Sequence, residues 1–415
     1  MPRAKMSIKD RFQSLGRMYA PYQAAECGER SVLLTQMHDY TGLHRKTLIR
    51  RMNGGVIERK QRSRQRGRVY DDDFRSAVRV IADSLDWICA ERLRPALLST
   101  ASHLAKHGAL RLDATVSYKL ARISTSQLRR VLATVPRPAC RLAKQQKHSH
   151  RPTGLAATIP IAIIPWQQVE PGHFEVDTVV HSGPNQSGDY LSTLQMIDVA
   201  TGWSEREAFL GRSAAYTVEA LNTIWKRCPI PWRHIHTDNG YEFLNSHFLA
   251  FINSRSSDVS LSRSRPYQKN DNRFVEQKNH SLVRAYFGAQ RLDTPEQLRL
   301  VNSLYADMWV YYNFFQPVQR QTARQAVVDG HNVTRVRRTH DEARTPLDRL
   351  LATGILNEAM RQLLLTIRDK TNPLSLKESI YHGLGQLQRL NTKQTKEEGL
   401  ASQVTISFGR TAKAR

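Results

Sequence analysis

Between residues 173 and 287 three short phrases each deliver an acid, and no other feature so narrows what this chain can fold into. Phe174-Glu175-Val176-Asp177-Thr178 closes an extended, partly apolar run on Asp177. His234-Ile235-His236-Thr237-Asp238-Asn239-Gly240-Tyr241-Glu242-Phe243 puts Asp238 at the end of a short strand, before a turn. Asn270-Asp271-Asn272-Arg273-Phe274-Val275-Glu276-Gln277-Lys278-Asn279 carries Glu276 into a helix. The acids are separated by 60 and 37 intervening residues. Taken singly, each reads as a cap or a surface charge. Taken in order, they read as a convergent set.

The pattern between them supplies a scaffold. Residues 173–182, 189–199 and 203–210 read as strands, the last two paired across the tight Ala200-Thr201-Gly202 junction. Residues 213–227 form a helix with Val218, Leu221, Ile224 and Trp225 on one side. A short strand follows at 234–237, a helix at 244–256, a fifth strand at 259–262, and helices at 272–287 and 295–315. That order gives a mixed five-stranded sheet flanked by helices, an α/β core.

Charge separates the core from its flanks. The chain has 415 residues and a net charge of +25. Residues 1–150 carry 30 Lys/Arg against 12 Asp/Glu, residues 151–320 carry 16 of each, and residues 321–415 carry 16 against 9. A neutral centre between basic arms fits a nucleic-acid binder, which concentrates its charge. Cys27, Cys89, Cys140 and Cys228 are widely spaced with no CxxC pair, which argues against a zinc module and a disulfide framework. No apolar run approaches the ~18 residues of a membrane span, and the basic N-terminus leads to no signal segment. A soluble, intracellular protein with reduced thiols is expected.

The N-terminal arm has helix–turn–helix spacing twice. Val32, Leu33 and Met37, a turn at Gly42, then Leu43, Leu48, Ile49 and Met52 make the first. Its second helix offers Arg45, Lys46, Arg50 and Arg51 to DNA. The run 58–68 reads as a phosphate-tracking arm, and Asp71-Asp72-Asp73 as a helix cap. The second module spans 113–135, with Ser124 as a cap and Arg129 and Arg130 outward. The domain boundaries are then 1–70 and 71–150 as DNA-binding helical regions, 151–165 as linker, and 166–318 as the core. Residues 319–391 read as a basic, mainly helical appendage with a short strand at 333–338, and 392–415 as a disordered tail.

Asp177 on the first strand, Thr-Asp-Asn-Gly-x-Glu-Phe after the fourth, and an Asn-x-x-Val-Glu helix resemble the ribonuclease-H-like catalytic core of DDE transposases and retroviral-type integrases. The likeness covers about residues 165–318, and Arg-Pro-Tyr-Gln-Lys-Asn-Asp-Asn and Val-Glu-Gln-Lys-Asn look like phrases of bacterial insertion-sequence transposases. The resemblance implies that Asp177 bridges two Mg²⁺ (or Mn²⁺) ions while Asp238 and Glu276 each bind one. It also implies metal-dependent cleavage at element ends and strand transfer, double-stranded DNA as partner, at least a dimer at work, and a cytoplasmic, nucleoid-associated place in a bacterium. Two ions suit a poor leaving group and a repelling phosphate, and Mg²⁺ prefers oxygen ligands.

At about 100° per residue, Arg273, Asn279 and His280 share the face of Glu276. His280 or Arg284 is favoured as the terminal-phosphate contact, with Arg265 and Lys269 as further DNA contacts. Glu175 shares a strand face with Asp177. Asp198 reads as a strand-end acid, and His234 and His236 as structural. The rival reading is a catalytically silent DNA-binding scaffold with the same fold; ribonuclease H activity would leave the two helix–turn–helix modules without a role.

Overall fold

The computed structural model describes residues 6–55, 69–137, 170–184, 186–211, 213–238, 240, 242–243, 245–255, 258–265, 272–329 and 332–411, with side chains left aside at 9, 324–329, 332–336 and 393–411. Two compact units, Met1–Val69 and Tyr70–Arg415, divide it.

In the first unit α1 (Ile8–Ala24), α2 (Cys27–Thr41) and α3 (Arg45–Met52) close on Leu15, Tyr22, Leu34, Met37, Leu48 and Met52. Gly42 ends α2 at φ +66°, a left-handed position that glycine fills without strain. The inward stripe of α2 is Leu34, Met37 and Thr41, so Val32, expected inside, faces solvent, as Ile49 partly does. The cause is phase: positions 34, 37 and 41 recur at helical spacing and Val32 falls outside them.

The second unit opens with α4 (Asp72–Ser84), α5 (Ala90–Lys106), α6 (Ala114–Arg122) and α7 (Thr125–Thr134). Their caps are those expected: Asp71 accepts the Phe74 N–H at 3.1 Å, and Ser124 the Gln127 N–H at 3.2 Å. These helices share a core with the sheet and are pinned to segments C-terminal to it. Tyr311 donates to Ser84 O at 2.9 Å, Arg92 to Pro317 O at 2.6 Å, and His103 bonds Thr371 O at 2.8 Å.

The sheet comprises β1 (His173–Val180), β2 (Leu191–Asp198), β3 (Ser204–Leu210), β4 (His234–Thr237) and β5 (Ser260–Arg263), in the order β3-β2-β1-β4-β5. The first three run as an antiparallel meander, and β4 and β5 add parallel to β1. The helices α8 (Ala214–Arg227), α9 (Ser246–Arg255) and α10 (Arg273–Lys278) alternate with the later strands, and α12 (Pro295–Val310) packs on β3. This is the mixed, helix-flanked, ribonuclease-H-like arrangement expected. All eight residues of β2 are buried, as a central strand covered on both faces requires.

Two π-helical segments interrupt the helices, at Asn279–Arg284 before α11 (Ala285–Phe287) and at Tyr311–Phe315 after α12. Beyond the core, the short strand expected at 333–338 is present and longer than expected. It is part of β7 (Asn332–His340), paired antiparallel with β6 (Gln321–Asp329). The apolar alternation is irregular in both strands, and β6 is not legible in the sequence. Then come α13 (Pro346–Ala352), α14 (Glu358–Lys370) and α15 (Pro373–Thr411), the last crossing the stretch whose composition marks it for disorder. No helix among the described residues is long and apolar enough to cross a membrane.

Candidate active site

Strand pairing brings Asp177 and Asp238 side by side. Val176 is in register with Thr237 on the parallel neighbour, so each acid is the next residue along adjacent strands, which lie ~4.8 Å apart. The carboxyl edge of parallel strands is where open α/β sheets hold their ligands. Asp238 folds back to accept the Gly240 N–H at 2.9 Å, which shapes the turn out of β4. Asp177 accepts the Thr178 N–H at 2.8 Å and the side-chain amide of Asn279 at 2.6 Å.

The helix carrying Glu276 is held against β1 by buried polar groups. Glu175, fully buried on β1, accepts the Phe274 N–H at 2.7 Å and the Val275 N–H at 3.0 Å. The first N–H groups of a helix have no partner within it, and the N-cap residue Asn272 makes no side-chain cap. Its amide instead donates to Val176 O at 3.3 Å. One strand thus caps, braces and hydrogen-bonds the helix through Glu175, Val176 and Asp177.

The electrostatics are those of crowded carboxylates. Burial pushes the Asp177 carboxyl well above the usual range, and repulsion from Asp238, Glu242 and Glu276 adds to it. Burial raises Asp238 as well, against the Gly240 N–H. Glu242 is raised to about 7 by burial and then by Asp238. Glu242 is not among the candidates that the sequence suggests. Its signal is its place in Thr-Asp-Asn-Gly-x-Glu-Phe, where Gly240 leaves room: a Cβ there would stand 2.6–2.8 Å from the Glu242 carboxyl.

Glu276 itself is exposed, whereas Asp177, Asp238 and Glu242 are half-buried. Among the described residues no three His, Cys, Asp or Glu side chains are already grouped closely enough to hold a metal ion. The donor chemistry nonetheless fits a hard divalent cation: carboxylate oxygens that repel one another and are relieved by positive charge.

The basic candidates are scattered. Arg45 is turned back onto α2, bonding Ser31 Oγ at 2.8 Å and Thr35 Oγ1 at 3.2 Å. Arg51 lies over the Phe12 ring at 4.6 Å, and Lys46 and Arg50 are exposed. Arg129 pairs with Glu91, and Arg130 bonds Gln127 at 3.4 Å. Near the acids, Arg265 is exposed, Arg273 stacks on the Phe274 ring at 4.6 Å, and His280 points to solvent. Arg284 is half-buried and helps burial hold His181 down at about 3. Lys269 lies outside the described residues. His234 and His236 share Ser262 Oγ, each at 2.7 Å, and Asp198 accepts the Gly172 and Thr201 N–H groups at 2.8 Å, so all three are structural.

No family model matches the sequence. An uncharacterised protein of Sinorhizobium fredii (strain NBRC 101917 / NGR234), y4rM, is 29% identical over 314 residues, covering 75% of this chain and 88% of its own length. Among solved structures, the simian T-cell lymphotropic virus intasome in complex with the PP2A regulatory subunit B56 gamma matches with a TM-score of 0.29 and 17% identity, over 53% of this chain and 69% of that one. The catalytic core domain of BIV integrase gives 0.28 and 14%, over 44% and 95%. The HTLV-2 integrase catalytic core domain in complex with magnesium gives 0.26 and 20%, over 36% and 90%. Likenesses this distant carry no functional argument.

Proposed function

We propose that this chain is a DDE-type polynucleotidyl transferase, a transposase that cleaves DNA at the ends of an insertion sequence and joins them to a target. The observation that carries it is the register that sets Asp177 and Asp238 at the ends of adjacent parallel strands, with Asn279 of the segment that continues the Glu276 helix bonded to Asp177. A fold gathers like charges at a stability cost, and functional sites are where such costs are kept.

In this reading Asp177, Asp238 and Glu276 hold Mg²⁺ or Mn²⁺, Glu276 turning inward from its exposed position. When bound, a pair of such ions supplies Lewis-acid activation of the attacking oxygen and stabilisation of the departing one. Asn279 orients Asp177 through its amide, and Glu175 fixes the start of the Glu276 helix. Double-stranded DNA is the partner. Two copies, one per element end, would work together.

The test is metal-dependent strand transfer on duplexes carrying the DNA ends that flank the gene. Asp238→Asn is expected to abolish joining while duplex binding persists. The exposure of Glu276 is the one observation that favours a silent DNA-binding scaffold instead; wild-type protein that binds these ends without cutting them in Mg²⁺ or Mn²⁺ would establish that reading.

A further inference from the structure

After the buried segment ending at Phe315, the chain leaves the core as β6 and returns as β7, nine residues each. The two strands form a sheet of their own, and among the described residues no other element packs along them. Their root is firm. Val318 and Arg344 form an antiparallel bridge, and Asp341 accepts the Arg320 N–H and an Arg349 guanidinium N–H, each at 2.7 Å.

A lone two-stranded hairpin is marginal in water, and this one is made worse by its charges. Residues 321–340 hold four arginines against a single acid, Asp329. Arg324 is the register partner of Arg338 across the strand pair. Arg337 and Arg338 are both exposed. Successive strand residues face opposite sides, so cations flank the ribbon on both. A partner that is negative on two sides relieves this arrangement. The major groove of B-DNA, walled by phosphates, admits a two-stranded β-ribbon. Nine residues at ~3.4 Å each reach roughly 30 Å, close to one ~34 Å turn of the duplex.

We propose that the β6–β7 hairpin is a DNA-binding arm that lies as a ribbon in the major groove of duplex DNA, with Arg337 and Arg338 on the flanking phosphates. The proposal rests on the reading of the chain as a DNA-joining enzyme and adds a contact surface outside the candidate active site and the helix–turn–helix modules.

The experiment measures binding of the full chain to a mixed-sequence duplex across a salt series. Each phosphate contact contributes ~0.9 to the slope of log affinity against log salt. The triple variant Arg335→Gln, Arg337→Gln, Arg338→Gln is expected to flatten that slope by about 2, for the two phosphate contacts of Arg337 and Arg338, and to weaken binding at least tenfold at moderate salt. The same three positions changed to Lys should keep the wild-type slope. Thr339→Lys, at an exposed neighbour, should steepen it, a gain that a folding defect cannot produce.

A triple Gln variant with wild-type slope and affinity would overturn the arm. So would a variant that loses self-association in sedimentation while its salt slope stays fixed, since that marks a second copy of the chain as the occupant. If the wild type joins DNA ends and the triple variant binds with an unaltered slope, only the arm is refuted. If the wild type binds no duplex, the DNA-joining reading falls with it.

Discussion

Removing the Glu175 carboxyl should release the helix that carries Glu276. Glu175→Ala leaves the Phe274 and Val275 N–H groups without their acceptor. Each buried donor so stranded costs ~1–3 kcal/mol; Phe274 is half-buried and can recruit water, so the expected loss is about 2–3 kcal/mol. Glu175→Gln keeps an acceptor oxygen for both donors. Its amide falls where Oε1 lies buried without a hydrogen-bond partner, a position that in the protonated wild type already holds an unpaired O–H, so its cost at low pH should be about 1 kcal/mol, below that of Glu175→Ala.

The two variants also separate by pH. Burial raises Glu175 from 4.5 to about 7, so the folded state holds the proton more tightly than the unfolded chain. That stabilisation is complete below about pH 4.5 and is lost as pH rises through about 7. At ~1.4 kcal/mol per unit, the wild type should lose about 2–3 kcal/mol relative to Glu175→Gln between pH 5 and 8. Denaturant unfolding in EDTA at both pH values reads this difference, and comparing the two proteins cancels the neighbouring acids. A Glu175→Ala variant as stable as wild type, or a difference that does not vary with pH, would refute the capping role.

Three further outcomes rest on the same geometry. Asp177→Asn should stabilise the metal-free protein at neutral pH by about 1 kcal/mol or more, because it removes a charge that burial and three acids disfavour, and it should abolish the rise in melting temperature that Mg²⁺ gives the wild type. Gly240→Ala should displace the Glu242 carboxyl, which lies 2.6–2.8 Å from the new Cβ; the far end of a flexible side chain can give way, so thermal stability should change little while Mn²⁺ affinity falls in calorimetry. Arg45→Ala should weaken the packing of α3 on α2 by about 1 kcal/mol and leave the salt slope of duplex binding unchanged, since its guanidinium is spent on Ser31 and Thr35.

The core is legible in the sequence because its strands alternate or run apolar between Gly- and Asn-rich turns, and because Asp198, Ser124 and Asp71 sit where caps and strand ends need acceptors. The helix of Glu276 is legible only in outline. An α-helical phase places Asn279 and His280 alike near Glu276, but the π-helical segment beginning at Asn279 breaks that phase. It leaves Asn279 buried on Asp177 and His280 in solvent. Such a widened turn depends on tertiary packing and has no local composition. Glu175 shows its strand face but not its task, since the N–H groups it caps lie about a hundred residues onward. The hairpin β6–β7 is only half visible because the apolar alternation is irregular in both strands, and two register shifts break its period.

The proposed chemistry depends on carboxylates from a strand, a turn and a helix sharing divalent cations. Its most direct test is the anomalous density of Mn²⁺ in crystals of the wild-type protein grown at saturating metal. Peaks bounded by Asp177 and Asp238, with Glu276 turned in to complete the site, are the expected result. Saturating Mn²⁺ with no peak between Asp177 and Asp238 would contradict it.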